Sequence, residues 1–137
     1  MNRAVAYCRI ACGTPSDRFS GLEDQTNAIS QYAAQNGLTV LETYMDVGVS
    51  GVSLNRPQLQ QLIADCRTAK VGMVLTPDPD RLSRDYSQLL ALLHMFKAEG
   101  IHLAFATREG RNQYAMFATV VRALAEISDR KTRGDET

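Results

Sequence analysis

The sequence has few of the features that mark a secreted or membrane-spanning protein. Its 137 residues include only three cysteines and four prolines. No apolar run approaches the roughly 20 residues that a membrane helix needs. The amino terminus, MNRAVAYCRI, has a short apolar stretch that breaks at Arg9, unlike a secretory signal peptide. These absences predict a protein of the cytoplasm or of another reducing interior, with no membrane association.

The cysteines do not suggest a disulfide framework or a metal site. Cys8, Cys12 and Cys66 are an odd-numbered set without a C-x-x-C pair. They do not combine with His94 and His102 into a recognisable set of zinc ligands. The sequence therefore predicts no bound metal and thiols that are buried or incidental.

The net charge gives no sign of nucleic-acid binding. Lys and Arg total 15, Asp and Glu also total 15, and the formal net charge is zero. Nucleic-acid-binding domains usually carry a basic excess, because they neutralise backbone phosphates. Any contact with DNA would therefore depend on a local cluster of arginines or on help from another binding element.

The chain does contain a regular alternation of predicted strands and helices. Amphipathic segments typical of helices separate short apolar segments typical of strands. The strands are predicted at 3–10, 38–45, 71–75 and 101–106. This spacing predicts an α/β fold, namely a mainly parallel, doubly wound sheet of about four to five strands with flanking helices and a long C-terminal helix.

Local signals place the ends of several helices. Ser20-Gly-Leu-Glu23 has the spacing of a capping box, so the first helix is expected to begin near Leu22. Pro57 suits the first position of the second helix. The segment REGRN is interpreted as a loop, with the last helix beginning at about Gln113. Residues 1–112 would then form the core of the domain, and residues 113–137 a helix and tail of the same domain, without a separate DNA-binding module.

Arginines gather in the loops that are predicted to follow the strands. Sites in open α/β sheets form beyond the C-terminal ends of the strands. Three loops at that edge carry arginine, namely the loop after Arg9 and the segments 50–56 and 80–85. A guanidinium offers a planar fork of donors that matches two phosphate oxygens, and several together would stabilise a phosphoryl group in transfer. Each arginine taken singly could equally be a solvated surface charge.

Four segments together resemble the catalytic domain of the serine recombinases, the resolvases and invertases, and most closely their large serine integrase branch. They are YCRI, SGLEDQ, DVGVSGVSLNRPQLQQL and DRLSRD. The likeness runs from Ala4 to about Arg130. It implies site-specific DNA recombination, in which a serine attacks a backbone phosphate and strands are exchanged within a tetramer. It also implies that neither a metal nor a nucleotide cofactor is used.

The resemblance implies a role for each matching residue. Arg9, Arg81 and Arg84 correspond to arginines that bind the scissile phosphate, and Asp80 to a carboxylate that manages a proton. Gln25 corresponds to a glutamine that faces the active site from the first helix. The second loop supplies three further residues around the phosphate, namely Asp46, Ser50 and Arg56.

The sequence departs from the family pattern at the nucleophile. The family reads Y-x-R-V-S-T where this chain reads Y-C-R-I-A-C, so Ala11 holds the nucleophile position. A methyl group cannot attack phosphorus, and Cys12 is one residue out of place. Ala11 is thus either an engineered serine-to-alanine change or the mark of a natural pseudoenzyme, and both predict that DNA is not cleaved. Asp78 and Pro79 also replace a lysine or apolar residue, which makes the approach to the phosphate more acidic and favours natural divergence.

An apolar ridge on the last predicted helix suggests self-association. It consists of Tyr114, Phe117, Val121 and Leu124, with Val120 and Ile127 beside it. Core packing explains part of this ridge, but the helix has more apolar surface than one sheet can cover. Since the family uses this helix for dimer and tetramer contacts, a homodimer is expected, extending to a tetramer on DNA. Its interface would include Phe117, Val120, Val121 and Leu124.

Two other function classes fit parts of the pattern. A dimerising interaction or regulatory protein could keep the fold without acting on DNA, but an unoccupied cluster of four arginines would be costly. A nucleotide-binding or receiver-like α/β domain is disfavoured, because no glycine-rich phosphate loop follows the first strand.

Overall fold

Strands and helices alternate along the chain in the computed structural model, which describes residues 3–10, 15–48, 56–69 and 71–135. The strands are β1 (Arg3–Ile10), β2 (Thr39–Val47), β3 (Met73–Thr76) and β4 (His102–Phe105). The helices are α1 (Pro15–Gln35), α2 (Pro57–Ala69), α3 (Pro79–Leu82), α4 (Tyr86–Ala98) and α5 (Arg108–Asp135). Three residues singled out from the sequence lie outside the described residues, namely Ala11, Cys12 and Ser50.

The four strands form one parallel sheet in the order β2-β1-β3-β4. β1 and β3 are the inner strands and are almost entirely buried, which explains why their sequences read as continuous apolar runs. At the C-terminal edge β1 and β2 end together, with Arg9 the register partner of Asp46 and Ile10 that of Val47. The predicted parallel α/β sheet is confirmed, and it has four strands in the described part of the chain.

Two apolar layers cover the two faces of the sheet. On one face, Ile29 and Ala33 of α1 pack against small residues of the strands such as Ala6. On the other face, Leu62 of α2 and Phe96 of α4 pack with the larger side chains of β1 and β3, and α3 and the first half of α5 join this layer. Helices on both faces give the predicted doubly wound arrangement.

Three helices differ from the sequence prediction. α1 begins at Pro15 and not near Leu22, and α5 begins at Arg108 and not at Gln113. The segment expected to be one loop between β3 and α4 contains the short helix α3. Proline at the first position starts both α1 and α3, where its missing N–H costs nothing. The segment REGRN is therefore the first turn of α5, and its interpretation as a loop was wrong.

Neither a membrane span nor a metal cluster is found in the part of the chain that the structure describes. No helix there is long and apolar enough to cross a bilayer. Nor do three His, Cys, Asp or Glu side chains there lie close enough together to hold a metal ion.

Candidate phosphate-binding site

Arg9 reaches from the end of β1 to the end of α3. Its side chain is fully buried, and its guanidinium donates from Nη2 to the carbonyl of Asp80 (2.6 Å) and from Nε to the carbonyl of Arg81 (3.1 Å). Burial lowers the pKa of Arg9, and the nearby charges of Arg56, Arg84 and Arg81 lower it further. Arg56, Arg81 and Arg84 therefore all lie close enough to Arg9 to disfavour its positive charge.

Gln25 of α1 holds the backbone of Arg9. The pairing of β1 with β3 ends at Ala6, so Arg9 takes its partners from helices instead of from that strand. Gln25 accepts from the backbone N–H of Arg9 through Oε1 (3.3 Å) and donates from Nε2 to its carbonyl (3.2 Å). Arg81 Nη1 donates to the same carbonyl (3.1 Å). This clamp fixes the chain two residues before Ala11.

Arg56 also turns inward, to the carbonyl groups of α3. It is only 3% exposed, and its Nη1 donates to the carbonyls of Leu82 and Arg81. The last carbonyls of a helix have no partner within that helix, and cations at this end also suit the helix dipole. Arg9 and Arg56 therefore cap α3 from two sides and fix the helix that carries Asp80 and Arg81.

Asp46 is buried beneath the first turn of α2. Its carboxylate accepts from the hydroxyl of Tyr7 (2.9 Å) and from the backbone N–H groups of Gln58 (3.0 Å) and Leu59 (3.1 Å). A carboxylate at a helix N-terminus satisfies free N–H groups and the helix dipole together. Burial, then the bond to Asp46, raises the pKa of Tyr7, so its hydroxyl remains a donor at neutral pH. Asp46 thus anchors the helix that begins directly after Arg56.

The outer side of the site carries the less buried groups. Asp80 and Arg84 are exposed, whereas Arg81 is partly buried. Asp85 caps α4 by accepting from the backbone N–H groups of Ser87 (2.9 Å) and Gln88 (3.2 Å). Arg84 therefore lies between the short helix α3 and the capped start of α4, with its side chain open to solvent.

Unsatisfied polar atoms gather at the C-terminal end of β3. In the described ranges, the buried side-chain atoms without a hydrogen bond are Thr76 Oγ1, Asp78 Oδ1 and Arg81 Nε. Buried polar atoms normally have a partner in the protein or an ordered water, so such a group needs an explanation. Three of them within six residues of the sequence indicate a place for a polar ligand or for water.

The comparisons with known proteins agree with this fold. The family model described as "Resolvase, N terminal domain" matches residues 4–137. This chain belongs to that family. A Bacillus subtilis (strain 168) protein named "Putative DNA recombinase" is 28% identical over 129 residues, which are 93% of this chain and 25% of that protein. The resolvase-type domain therefore spans about a quarter of the length of this relative.

Solved structures of the same kind share the fold. The N-terminal catalytic domain of TP901-1 integrase is 24% identical, with a TM-score of 0.73 and coverage of 93% of this chain and 99% of that one. A resolvase family site-specific recombinase from Streptococcus pneumoniae is also 24% identical, with a TM-score of 0.71 and coverage of 97% and 91%. The C-terminal catalytic domain of ISC1926 TnpA, an IS607-like serine recombinase, is 26% identical, with a TM-score of 0.67 and coverage of 90% and 82%.

The first turn of α5 packs tightly against the segment between β3 and α3 of this resolvase-type domain. Thr107 caps α5 by accepting from the N–H of Gly110 (2.8 Å), and its hydroxyl donates to the carbonyl of Pro77 (2.9 Å). A Cβ at Gly110 would lie 2.4 Å from the Pro77 oxygen and 2.8 Å from Asp78 Cα. Only glycine fits there without a shift of the backbone. The sequence did not predict this junction, because a Thr-x-x-Gly spacing lacks the Glu or Gln of a capping box.

The predicted interface residues of α5 fall into two groups. Phe117 and Val121 are partly buried and line a groove of about 670 Å³ between α4 and α5 of the resolvase-type domain. The Phe117 ring also stacks on Tyr86 (5.8 Å between centroids). Val120 and Leu124 are exposed. They form an apolar stripe with Met116 and Ile127, which we call the outer stripe.

The buried cysteine nearest the site is not a substitute nucleophile in this resolvase-type domain. Burial raises the pKa of Cys8 to about 11, so the thiol stays protonated at neutral pH. A thiolate and not a thiol is the reactive species.

Proposed function

We propose that this chain is the catalytic-type domain of a site-specific DNA recombinase. It holds a DNA backbone phosphate at the arginines around α3 without cutting the strand. The observation that carries the proposal is the grouping of four arginines at one edge of the sheet. Arg9 and Arg56 both donate to the carbonyl of Arg81, and Arg81 donates to the carbonyl of Arg9. Arg84 lies close enough to lower the pKa of Arg9. A concentration of like charge is costly to build, and an anion offsets that cost. The lack of cleavage is proposed because Ala11 stands at the nucleophile position.

The arginines have different roles in this proposal. Arg81 and Arg84 are the groups that reach a phosphate, since the Arg84 side chain is exposed and that of Arg81 is 30% exposed. Arg9 and Arg56 are positioning residues, because their described hydrogen bonds go to the carbonyls of α3. Gln25 and Asp46 support them by fixing the end of β1 and the start of α2. Asp80, on the exposed side, is the proposed proton carrier of an active relative. The proposed location of this activity is the cytoplasm.

A DNA-binding measurement tests the phosphate site. Replacing Arg84 with glutamine should weaken binding of a short labelled duplex about tenfold at low salt, because a charge-assisted contact to phosphate is lost. The slope of log affinity against log salt should also fall by about 1. Fluorescence anisotropy across a salt series measures both quantities.

The matched control is Arg67→Gln, which removes the same charge from a surface ion pair with Glu99 (3.0 Å) outside the site. Equal losses for the two variants would mean that only the overall charge matters, and the proposed phosphate site would then be wrong.

The proposed assembly is a homodimer formed through the outer stripe of α5, with a tetramer when bound to DNA. Val120→Glu together with Leu124→Glu should weaken dimerisation by roughly tenfold or more, because charges would enter an apolar contact. Sedimentation velocity over a concentration series measures the change. Ala125→Glu is the control, since this exposed position faces away from the stripe. If the unaltered chain is a monomer at every concentration, this interface is wrong.

This assembly also fits the alternative function, a dimerising regulatory protein that has kept the recombinase fold. The outer stripe favours self-association under both functions, so only the DNA-binding measurement separates them. Unchanged affinity in Arg84→Gln alongside a clear dimer would favour the regulatory protein.

A further inference from the structure

Asp78 places a carboxylate beside the arginine that is proposed to meet the phosphate. Its Oδ2 lies 3.7 Å from Nε of Arg81, and the two side chains are 22% and 30% exposed. Asp78 precedes α3 directly, in the position where a side chain often caps the helix. It makes no capping hydrogen bond of regular geometry to the first turn of α3.

The contact between these two side chains is poor as a structural interaction. Neither Asp78 Oδ1 nor Arg81 Nε has a hydrogen bond. Burial raises the pKa of Asp78, and the charge of Asp80 adds to this effect, whereas the charge of Arg81 and the backbone N–H groups of Arg81 and Asp80 oppose it. A carboxylate in this situation contributes little to stability, because burial penalises its charge and the pairing only partly compensates.

The backbone around Asp78 keeps the carboxylate in place. Asp78 stands between two prolines, which restrict the backbone on both sides. The first turn of α5 presses on the same segment through Thr107 and Gly110, as described above. The backbone therefore holds the Asp78 side chain beside Arg81, although the contact between the two side chains contributes little stability.

We propose that Asp78 occupies the anion position at Arg81 and competes there with a DNA phosphate, so that it sets the phosphate affinity of the site. The proposal rests on the proposed function. A carboxylate and a phosphate both present anionic oxygen to the same guanidinium, and a phosphate that arrives there also meets the charge of Asp78. Weak intrinsic affinity makes stable binding depend on additional contacts, such as those of a second copy or of a linked DNA-binding element.

The variant Asp78→Asn tests this competition, since asparagine has the same shape and no charge. It should bind a short labelled duplex about two- to fivefold more tightly at low salt, which is the effect expected for removing one partly exposed ion-pair partner. Glu99→Gln removes the same unit of charge from the Arg67 pair outside the site and should change the affinity less. At neutral pH the asparagine variant should be at least as resistant to urea as the unaltered chain, which shows that it folds.

Making the Asp78→Asn change in a chain that also carries Arg81→Gln distinguishes local competition at Arg81 from a general effect of charge. In Arg81→Gln, the gain from Asp78→Asn should disappear, because the competition acts through Arg81. A gain that persists in that background, or equals that of Glu99→Gln, overturns the proposal. If Arg84→Gln weakens binding but Asp78→Asn does not strengthen it, the competition is wrong and the phosphate site stands. If neither Arg81→Gln nor Arg84→Gln changes the affinity, the phosphate site itself is wrong, and the competition falls with it.

Discussion

Replacing Asp46 with alanine is expected to remove about 3–5 kcal/mol from the free energy of unfolding. The change leaves the hydroxyl of Tyr7 and two N–H groups of α2 without their acceptor, at a position that is 3% exposed. A domain of this size is stable by only about 5–15 kcal/mol, so the variant should be marginally folded. Urea denaturation followed by circular dichroism measures the loss.

Tyr7→Phe is the matched control for this network. It deletes one donor and leaves Asp46 with both N–H groups of α2, so it should cost only about 1 kcal/mol. A similar loss in the two variants would mean that the carboxylate does not anchor α2. Asp46→Asn, which keeps one acceptor oxygen, should fall between them.

The fold and the neighbourhood of the site could be predicted because they follow from general rules. Parallel strands end at one edge, so arginines placed after β1, after β2 and after β3 must approach one another. The sequence pattern therefore predicted the position of Arg9, Arg56 and Arg81 without any knowledge of their contacts. β1 could be predicted at Arg3–Ile10 because the apolar segment Ala4–Cys8, at the centre of the sheet, leaves few alternatives to a buried strand.

The direction of each side chain could not be predicted, because it depends on partners that are distant in the sequence. Arg9 bonds to the carbonyls of residues 71 and 72 positions away, on a helix that was expected to be a loop. Asp46 was assigned to the phosphate by resemblance, whereas its described hydrogen bonds join β2 to Tyr7 and α2. The start of α5 was missed because Thr107 caps it without an acidic partner three residues later.

The buried and the solvent-accessible arginines of the proposed site have different physical roles. Arg9 and Arg56 lose hydration on burial, and they recover hydrogen bonds from carbonyls that α3 cannot satisfy by itself. Arg81 and Arg84 keep access to solvent and can exchange water for phosphate. A phosphoryl group at this edge would meet donors already fixed in place, which is the arrangement that lowers the barrier to transfer in enzymes.

A hydroxyl introduced at position 11 should turn the proposed phosphate-binding site into a cleaving one. In Ala11→Ser, the serine oxygen would attack the phosphorus of a bound backbone phosphate. The serine hydroxyl would lose its proton as its oxygen forms the phosphoserine ester, one P–O bond of the DNA would break, and the departing deoxyribose oxygen would take up a proton to become a free hydroxyl. Ala11 follows Arg9 by two residues, and the clamp of Gln25 on Arg9 fixes the chain that leads to it. A denaturing gel of end-labelled DNA should show a covalent adduct for the serine form at low salt and none for the unaltered chain.

The controls for this experiment separate three explanations. Ala11→Ser combined with Arg84→Gln should form much less adduct, because the phosphate is no longer held. An adduct from the unaltered chain would contradict the assignment of Ala11 as the missing nucleophile and point to Cys12 or a nearby serine. If Ala11→Ser binds DNA but forms no adduct, the site has lost more than its nucleophile. The double variant Ala11→Ser with Asp78→Asn then tests whether the Asp78 carboxylate, beside Arg81, also prevents cleavage. If it does, the double variant should form the adduct that Ala11→Ser alone does not.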